Sequence, residues 1–173
     1  GKCGGFTSDI VDAIRWAVGL PVPGVPSNPN PARVLNMSFG GYACNSSGVC
    51  GCDAASQSAI DDAVAAGAVP VVAAGNSNRP AVESSPANCN GVITVAATGR
   101  QGQRASYSNY GPLVEIAAPG GGSGAGVLST LNSSLTSPDL GGYTYGNYQG
   151  TSMAAPHVAG IASLMLSVNP ALT

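Results

Sequence analysis

One serine stands at the foot of an apolar helical stretch, where its hydroxyl could do covalent chemistry. In Gly150-Thr151-Ser152-Met153-Ala154-Ala155-Pro156-His157-Val158-Ala159-Gly160, Ser152 follows a glycine turn and precedes small, apolar residues of helical character. A hydroxyl so placed meets unpaired backbone N–H groups and the positive end of a helix dipole, both of which favour developing negative charge. It is a candidate nucleophile for acyl transfer. That chemistry also needs a base for the serine proton and donors for an oxyanion. The backbone N–H of Ser152 can be one donor. The side-chain amide of Asn76, in the loop after the apolar run Val69-Pro70-Val71-Val72-Ala73-Ala74, can be the second. The base is missing. The only histidine, His157, lies five positions along the same helix, about 140° round and roughly 7.5 Å up from the serine. It faces away and reads as structural.

Neither candidate is strong in isolation. Serine before a helix is most often a cap, and asparagine in a loop is most often a turn residue tolerant of a left-handed backbone. The elements around them therefore decide. Thr7-Ser8-Asp9 followed by Ile10, Val11, Ile14, Trp16, Ala17 and Val18 reads as a capped amphipathic helix ending at Gly19. Leu20 to Pro31 is a Pro- and Asn-rich loop. Arg33 to Phe39 reads as a short buried strand, stopped by Gly40-Gly41, and Ala54 to Ala66 as a helix closed by Gly67. Val69–Ala74, Val92–Ala97 and Val114–Ala118 are apolar runs typical of parallel strands covered on both faces. Gly120 to Gly126 is a glycine-rich loop, Gly141 to Gln149 a Tyr-rich hairpin candidate, and about Ser152 to Val168 the serine helix. Alternating strands and helices with short turns predict an α/β fold, with a mostly parallel sheet and helices on both faces.

At 173 residues the chain is long enough for one domain with a sizeable core. Charged residues make up 8%, against roughly 25% in ordinary globular domains. The net charge of −2 and six Lys and Arg supply no basic stripe for nucleic acid or an anionic membrane. No run of about 18 apolar residues is visible that would span a bilayer. The first residues, Gly1-Lys2-Cys3-Gly4-Gly5, do not read as a signal peptide, and both ends read as cut from a longer product. Five cysteines, three of them in Cys44-Asn45-Ser46-Ser47-Gly48-Val49-Cys50-Gly51-Cys52, point to disulfides and an oxidising compartment. Their spacing fits no common zinc site. The pairing stays open, and the odd count leaves one cysteine over. Asp61-Asp62 reads as a solvated helix face, and Tyr143, Tyr145 and Tyr148 as surface or packing aromatics.

The eleven residues from Gly150 to Gly160 resemble the active-serine signature of the subtilisin-like serine proteases. Three further blocks resemble the same family in the same order: Asn36 to Gly41, Val71 to Asn76, and Gln103 to Pro119 with Arg104-Ala105-Ser106-Tyr107-Ser108-Asn109-Tyr110-Gly111. The cysteine-rich loop departs from plain subtilisins and is more similar to disulfide-bearing secreted bacterial relatives. The resemblance implies that residues 1–173 are the C-terminal part of a single subtilisin-like catalytic domain, incomplete in this chain. It implies a secreted serine endopeptidase acting on polypeptides, with Ser152 as nucleophile and Asn76 in the oxyanion hole. The family's Asp and His, found in segments this sequence lacks, would come from a companion segment.

By the same resemblance, Ser38, Phe39 and Gly40 pair with the substrate backbone. Ala73, Ala74 and Gly75 on one side and Ser84 on the other wall the pocket for the side chain before the scissile bond. Those small residues imply tolerance of a large apolar side chain, whereas Glu83 would favour a basic one if its carboxylate turned inward. The bond before Pro86 is expected to be cis. No cofactor is required for the chemistry, and calcium enters only as a family property. Two other functions compete. One is an inert fragment or disulfide-stapled binding domain; the other is a thiol enzyme built on Cys3, Cys44, Cys50, Cys52 or Cys89, none with a histidine partner.

Overall fold

The structure, a computed structural model, describes residues 5–134, 137 and 139–172. Helix α1 (Thr7–Ala17) is followed by β1 (Val34–Met37), β2 (Gly41–Tyr42), α2 (Ala54–Ala65) and β3 (Val69–Ala73). Then come β4 (Ser84–Ser85), β5 (Ile93–Thr98), β6 (Ile116–Pro119), β7 (Val127–Asn132), β8 (Tyr143–Tyr148) and α3 (Thr151–Val168). Strands β1, β3, β5 and β6 form a parallel sheet in the order β1-β3-β5-β6.

Residue alternation along β3 explains why that sheet needs helices on both faces. Val72 joins Val11, Ile14, Ile60 and Ala63 under α1 and α2, while Val71 and Ala73 join Ala154, Ala155 and Val158 under α3. A strand apolar on both sides must be covered on both sides. The expected architecture is present: an α/β fold with a mostly parallel sheet and helices on either face.

Three local expectations need correction. Helix α1 begins after Phe6, whose side chain provides no cap; Thr7, Ser8 and Asp9 form its first turn instead of preceding it. Tyr143–Tyr148 is one arm of a hairpin, not the whole of it. The other arm is Val127–Asn132, antiparallel to it from Val127↔Tyr148 to Asn132↔Tyr143. The residues of that arm alternate too weakly in polarity to announce a strand. Finally, α3 is long and apolar enough to cross a membrane, with 18 residues and a hydropathy of 1.3. Gly160, His157 and the serines interrupt its apolar run in sequence. Its first half lies on the sheet, as the core helix of a globular domain does.

Four of the five cysteines are paired, as Cys44–Cys50 and Cys52–Cys89. Those four carry no free thiol, which removes them as candidates for a thiol enzyme. Cys3 lies outside the described residues. The second disulfide ties the start of α2 to the segment before β5, and the first closes the loop beyond β2.

Candidate active site

The C-terminal ends of parallel strands and the N-terminus of α3 meet at one cleft of about 720 Å³, within the usual range for ligand sites. Ser38, Phe39, Gly40, Ala73, Gly75, Asn76, Ser84, Thr151 and Ser152 all line it. Open α/β sheets commonly gather their functional groups at this strand end.

The serine is positioned by its turn. Gly150 has φ 155° and ψ 161°, a region essentially reserved for glycine, and the helix starts at the next residue. Ser152 is half-buried, and its Oγ donates to the Ser38 carbonyl at 3.2 Å. The Ser38 hydroxyl donates in return to the Ser152 carbonyl at 2.9 Å. The N–H of Ser152 belongs to the helical turn that has no intrahelical acceptors.

Asn76 is exposed at the end of β3, yet its amide is oriented. Its Oδ1 accepts from the Thr151 N–H at 2.8 Å and from the Thr151 hydroxyl at 2.9 Å. That hydroxyl in turn accepts from the Gly75 N–H at 3.1 Å. With the oxygen occupied, the donor end of the amide is left for the cleft. A Cβ built on Gly150 would lie 3.5 Å from Asn76 Nδ2 and 3.7 Å from the Ser152 backbone nitrogen. Both nitrogens, with Asn76 Oδ1 also at 3.7 Å, therefore lie within 4 Å of one point beside the serine. Such a pair can stabilise an oxyanion.

The remaining candidates divide by place. Gly40 sits close under the β4 turn, since a Cβ there would approach the Ser85 carbonyl oxygen to 3.0 Å. The register Gly41↔Ser85 and Tyr42↔Ser84 holds the Ser38–Gly41 segment beside this turn. The Ser85–Pro86 bond is cis, as the resemblance implied. Ala74 differs from the expectation: it is fully buried and does not line the cleft. Its carbonyl accepts from Asn109 Nδ2 at 2.8 Å and its N–H donates to Val95, so it supports the wall from behind. Glu83 also lines the cleft and is paired there with Arg79, Nη1 to Oε2 at 3.5 Å, and the guanidinium lies over the Tyr42 ring.

His157 is exposed, and its Nδ1 donates to the Met153 carbonyl at 2.8 Å, which fixes it on the outside of α3. It does not reach Ser152. Among the described residues no group of three or more His, Cys, Asp or Glu side chains could hold a metal ion. Calcium, which also takes backbone and amide carbonyl oxygens, stays an expectation carried by the family resemblance.

Thr151 was not singled out in the sequence, although it orients Asn76 through both backbone and side chain. Its only signal was its place beside Ser152. Tyr107 has a similar standing: its hydroxyl donates to the Gly120 and Gly121 carbonyls at 2.7 and 2.8 Å, and the Gly150 N–H donates to Gly120. Burial pushes its phenol up, against the opposing pull of a hydrogen bond at Gly150.

The sequence profile of the subtilase family matches residues 1–173, and the chain belongs to that family. It is 51% identical over 170 residues to an extracellular protease of Xanthomonas campestris pv. campestris, covering 98% of this chain and 27% of that protein. It is 46% identical over 167 residues to an extracellular basic protease of Dichelobacter nodosus, covering 96% of this chain and 26% of that one. A solved protease structure from Pseudoalteromonas arctica PAMC 21717 superposes with a TM-score of 0.91 at 51% identity, covering 100% of this chain and 50% of that chain. The chain thus spans about a quarter of these curated relatives and half of that solved chain.

Proposed function

We propose that residues 1–173 are the C-terminal part of one catalytic domain of a secreted serine endopeptidase, working with a companion segment that supplies an aspartate and a histidine. Ser152 Oγ attacks the scissile carbonyl carbon while the companion histidine takes its proton. The carbonyl oxygen becomes an oxyanion between the Ser152 N–H and Asn76 Nδ2. Collapse breaks the C–N bond, the histidine returns the proton to the leaving amine, and an acyl group remains on Ser152. Water, deprotonated by the same histidine, then attacks the acyl carbon; the Oγ–C bond breaks, the histidine returns the proton to Ser152 Oγ, and the acid leaves. The observation that carries this reading is the convergence of the Asn76 amide and the Ser152 N–H beside a half-buried hydroxyl.

The substrate chain pairs along Ser38, Phe39 and Gly40, and its side chain before the scissile bond lies between Ala73, Gly75 and Ser84, with Ala74 behind. Small residues leave room for a large apolar group. Secretion is supported by the two disulfides and by relatives named as extracellular proteases. No step calls on a cofactor, a nucleic acid or a membrane.

The test is a fluorophosphonate probe on the native protein, read by intact mass and peptide mapping. One equivalent on Ser152, absent in Ser152→Ala, is the expected result. An unreacted Ser152 in native material containing every polypeptide of the complex would favour the inert or binding-domain reading.

A further inference from the structure

The loop that carries Asn76 has little to hold it in place by itself. Asn76, Ser77, Asn78 and Arg79 are all exposed, and the backbone turns through a left-handed Gly75 (φ 104°) and a left-handed Asn78 (φ 51°). A donor that must meet a developing charge cannot be left to wander, because preorganised dipoles stabilise a transition state only when already aimed. Thr151 fixes the amide's orientation from the helix side. Something must fix the loop from the other side.

Asn109 does this. It is 4% exposed, and its side chain is spent on the loop. Oδ1 accepts from the Ser77 N–H at 3.0 Å and from the Arg79 N–H at 3.1 Å. Nδ2 donates to the Ala74 carbonyl at 2.8 Å. Its backbone N–H donates to the Gly75 carbonyl at 2.9 Å. Four hydrogen bonds from one residue therefore bracket Asn76 on both sides along the chain. Closeness is enforced as well: a Cβ on Gly75 would collide with Asn109 Nδ2. The neighbours of Asn109 add to the grip, through the Tyr107 carbonyl on the Asn78 N–H at 2.8 Å and Arg104 Nη1 on Asn78 Oδ1 at 2.9 Å.

We propose that Asn109, itself on the cleft wall, is the positioning residue for the Asn76 oxyanion donor and acts on catalysis through that loop. This rests on the oxyanion reading of Asn76 given above. The side chain supplies both an acceptor for the Ser77 and Arg79 N–H groups and a donor for one carbonyl, a combination that only an amide offers at this length. Aspartate keeps the acceptors and loses the donor; alanine loses all three side-chain bonds.

The experiment measures kcat and KM on a chromogenic peptide in the active protein, companion segment included, for Asn109→Ala, Asn109→Asp, Asn76→Ala and the two doubles with Asn76→Ala. Endpoint fluorophosphonate titration counts folded sites. Expected is a fall in kcat of about 10- to 100-fold for Asn109→Ala, less for Asn109→Asp, with KM within about twofold. In the Asn76→Ala background neither change lowers kcat further, because groups acting as a unit are not additive. Equal losses in both backgrounds, unchanged kcat in either folded single variant, or failure of both singles to fold would overturn the proposal in favour of a structural role. If Asn76→Ala itself leaves kcat intact, it is the oxyanion reading that falls.

Discussion

Arg79 illustrates how a single side chain can decide the sign of a specificity. Glu83 lies on the cleft wall, and its charge would attract a basic substrate side chain, but Arg79 partners it at 3.5 Å while stacking over Tyr42. Both groups remain partly exposed, so the pair contributes only about 0.2–1 kcal/mol. Replacing Arg79 by alanine frees the carboxylate. The ratio of kcat/KM for lysine over phenylalanine before the scissile bond should then rise by about two- to fivefold, as read with paired peptide substrates. A larger change would mean that Glu83 reaches deeper into the pocket than its present contact allows. For Asn76, the scale is set by a subtilisin, where losing one oxyanion donor lowers kcat by about 10²–10³-fold. Asn76→Ala should fall in the same range.

At the scale of elements, the sheet's positioning power depends on helices that are capped and anchored. Asp53 caps α2: its carboxylate accepts from the Ser56 N–H at 2.9 Å. Hydrogen bonding with Ser56, more than anything else, holds its carboxyl below the ordinary aspartate value of 3.8. A group whose folded pKa is depressed binds fewer protons folded than unfolded, so its stabilisation is present above pH 3.8 and fades as pH falls through the folded value. Asp53→Ala should cost about 1 kcal/mol near neutrality. That difference should shrink toward zero in acid unfolding series carried below pH 3.8. A constant difference across the range would show that packing, and not the carboxylate, anchors this end of α2. The strands were legible as apolar runs, and all four parallel ones appear within a residue or three of their expected bounds. The β7 arm was not, because Val127-Leu128-Ser129-Thr130-Leu131-Asn132 carries no clean alternation and its partner lies beyond an intervening loop.

For the molecule as a whole, the second half of α3 carries an unfinished surface. Ile161, Leu164, Met165 and Val168 are all exposed, and β1 forms an edge of the parallel sheet. An apolar helix face and a sheet edge left open together favour association. The companion segment that would bring the base has reason to cover them. Residues 1–173 produced alone should bind a hydrophobic dye and self-associate in size-exclusion chromatography. They should also react with fluorophosphonate at least 100-fold more slowly than the complete protein, since loss of a general base alone forfeits about 10²–10⁴-fold. A monodisperse, dye-silent and fully reactive fragment would contradict the need for a companion.

By itself the sequence determined the class of fold, the nucleophile candidate and the lack of a histidine in helical phase with it. Those follow from local pattern: apolar runs of strand length, a glycine before a helical serine, and one histidine at the wrong helical phase. Only the tertiary structure decided which groups converge. Thr151 and Asn109 are 75 and 30 or more residues from the loop positions they hold, and Ala74 retreats behind the wall it was expected to form. Hydrogen bonds between distant segments depend on how the sheet brings chain ends together. No spacing along the chain encodes that closure.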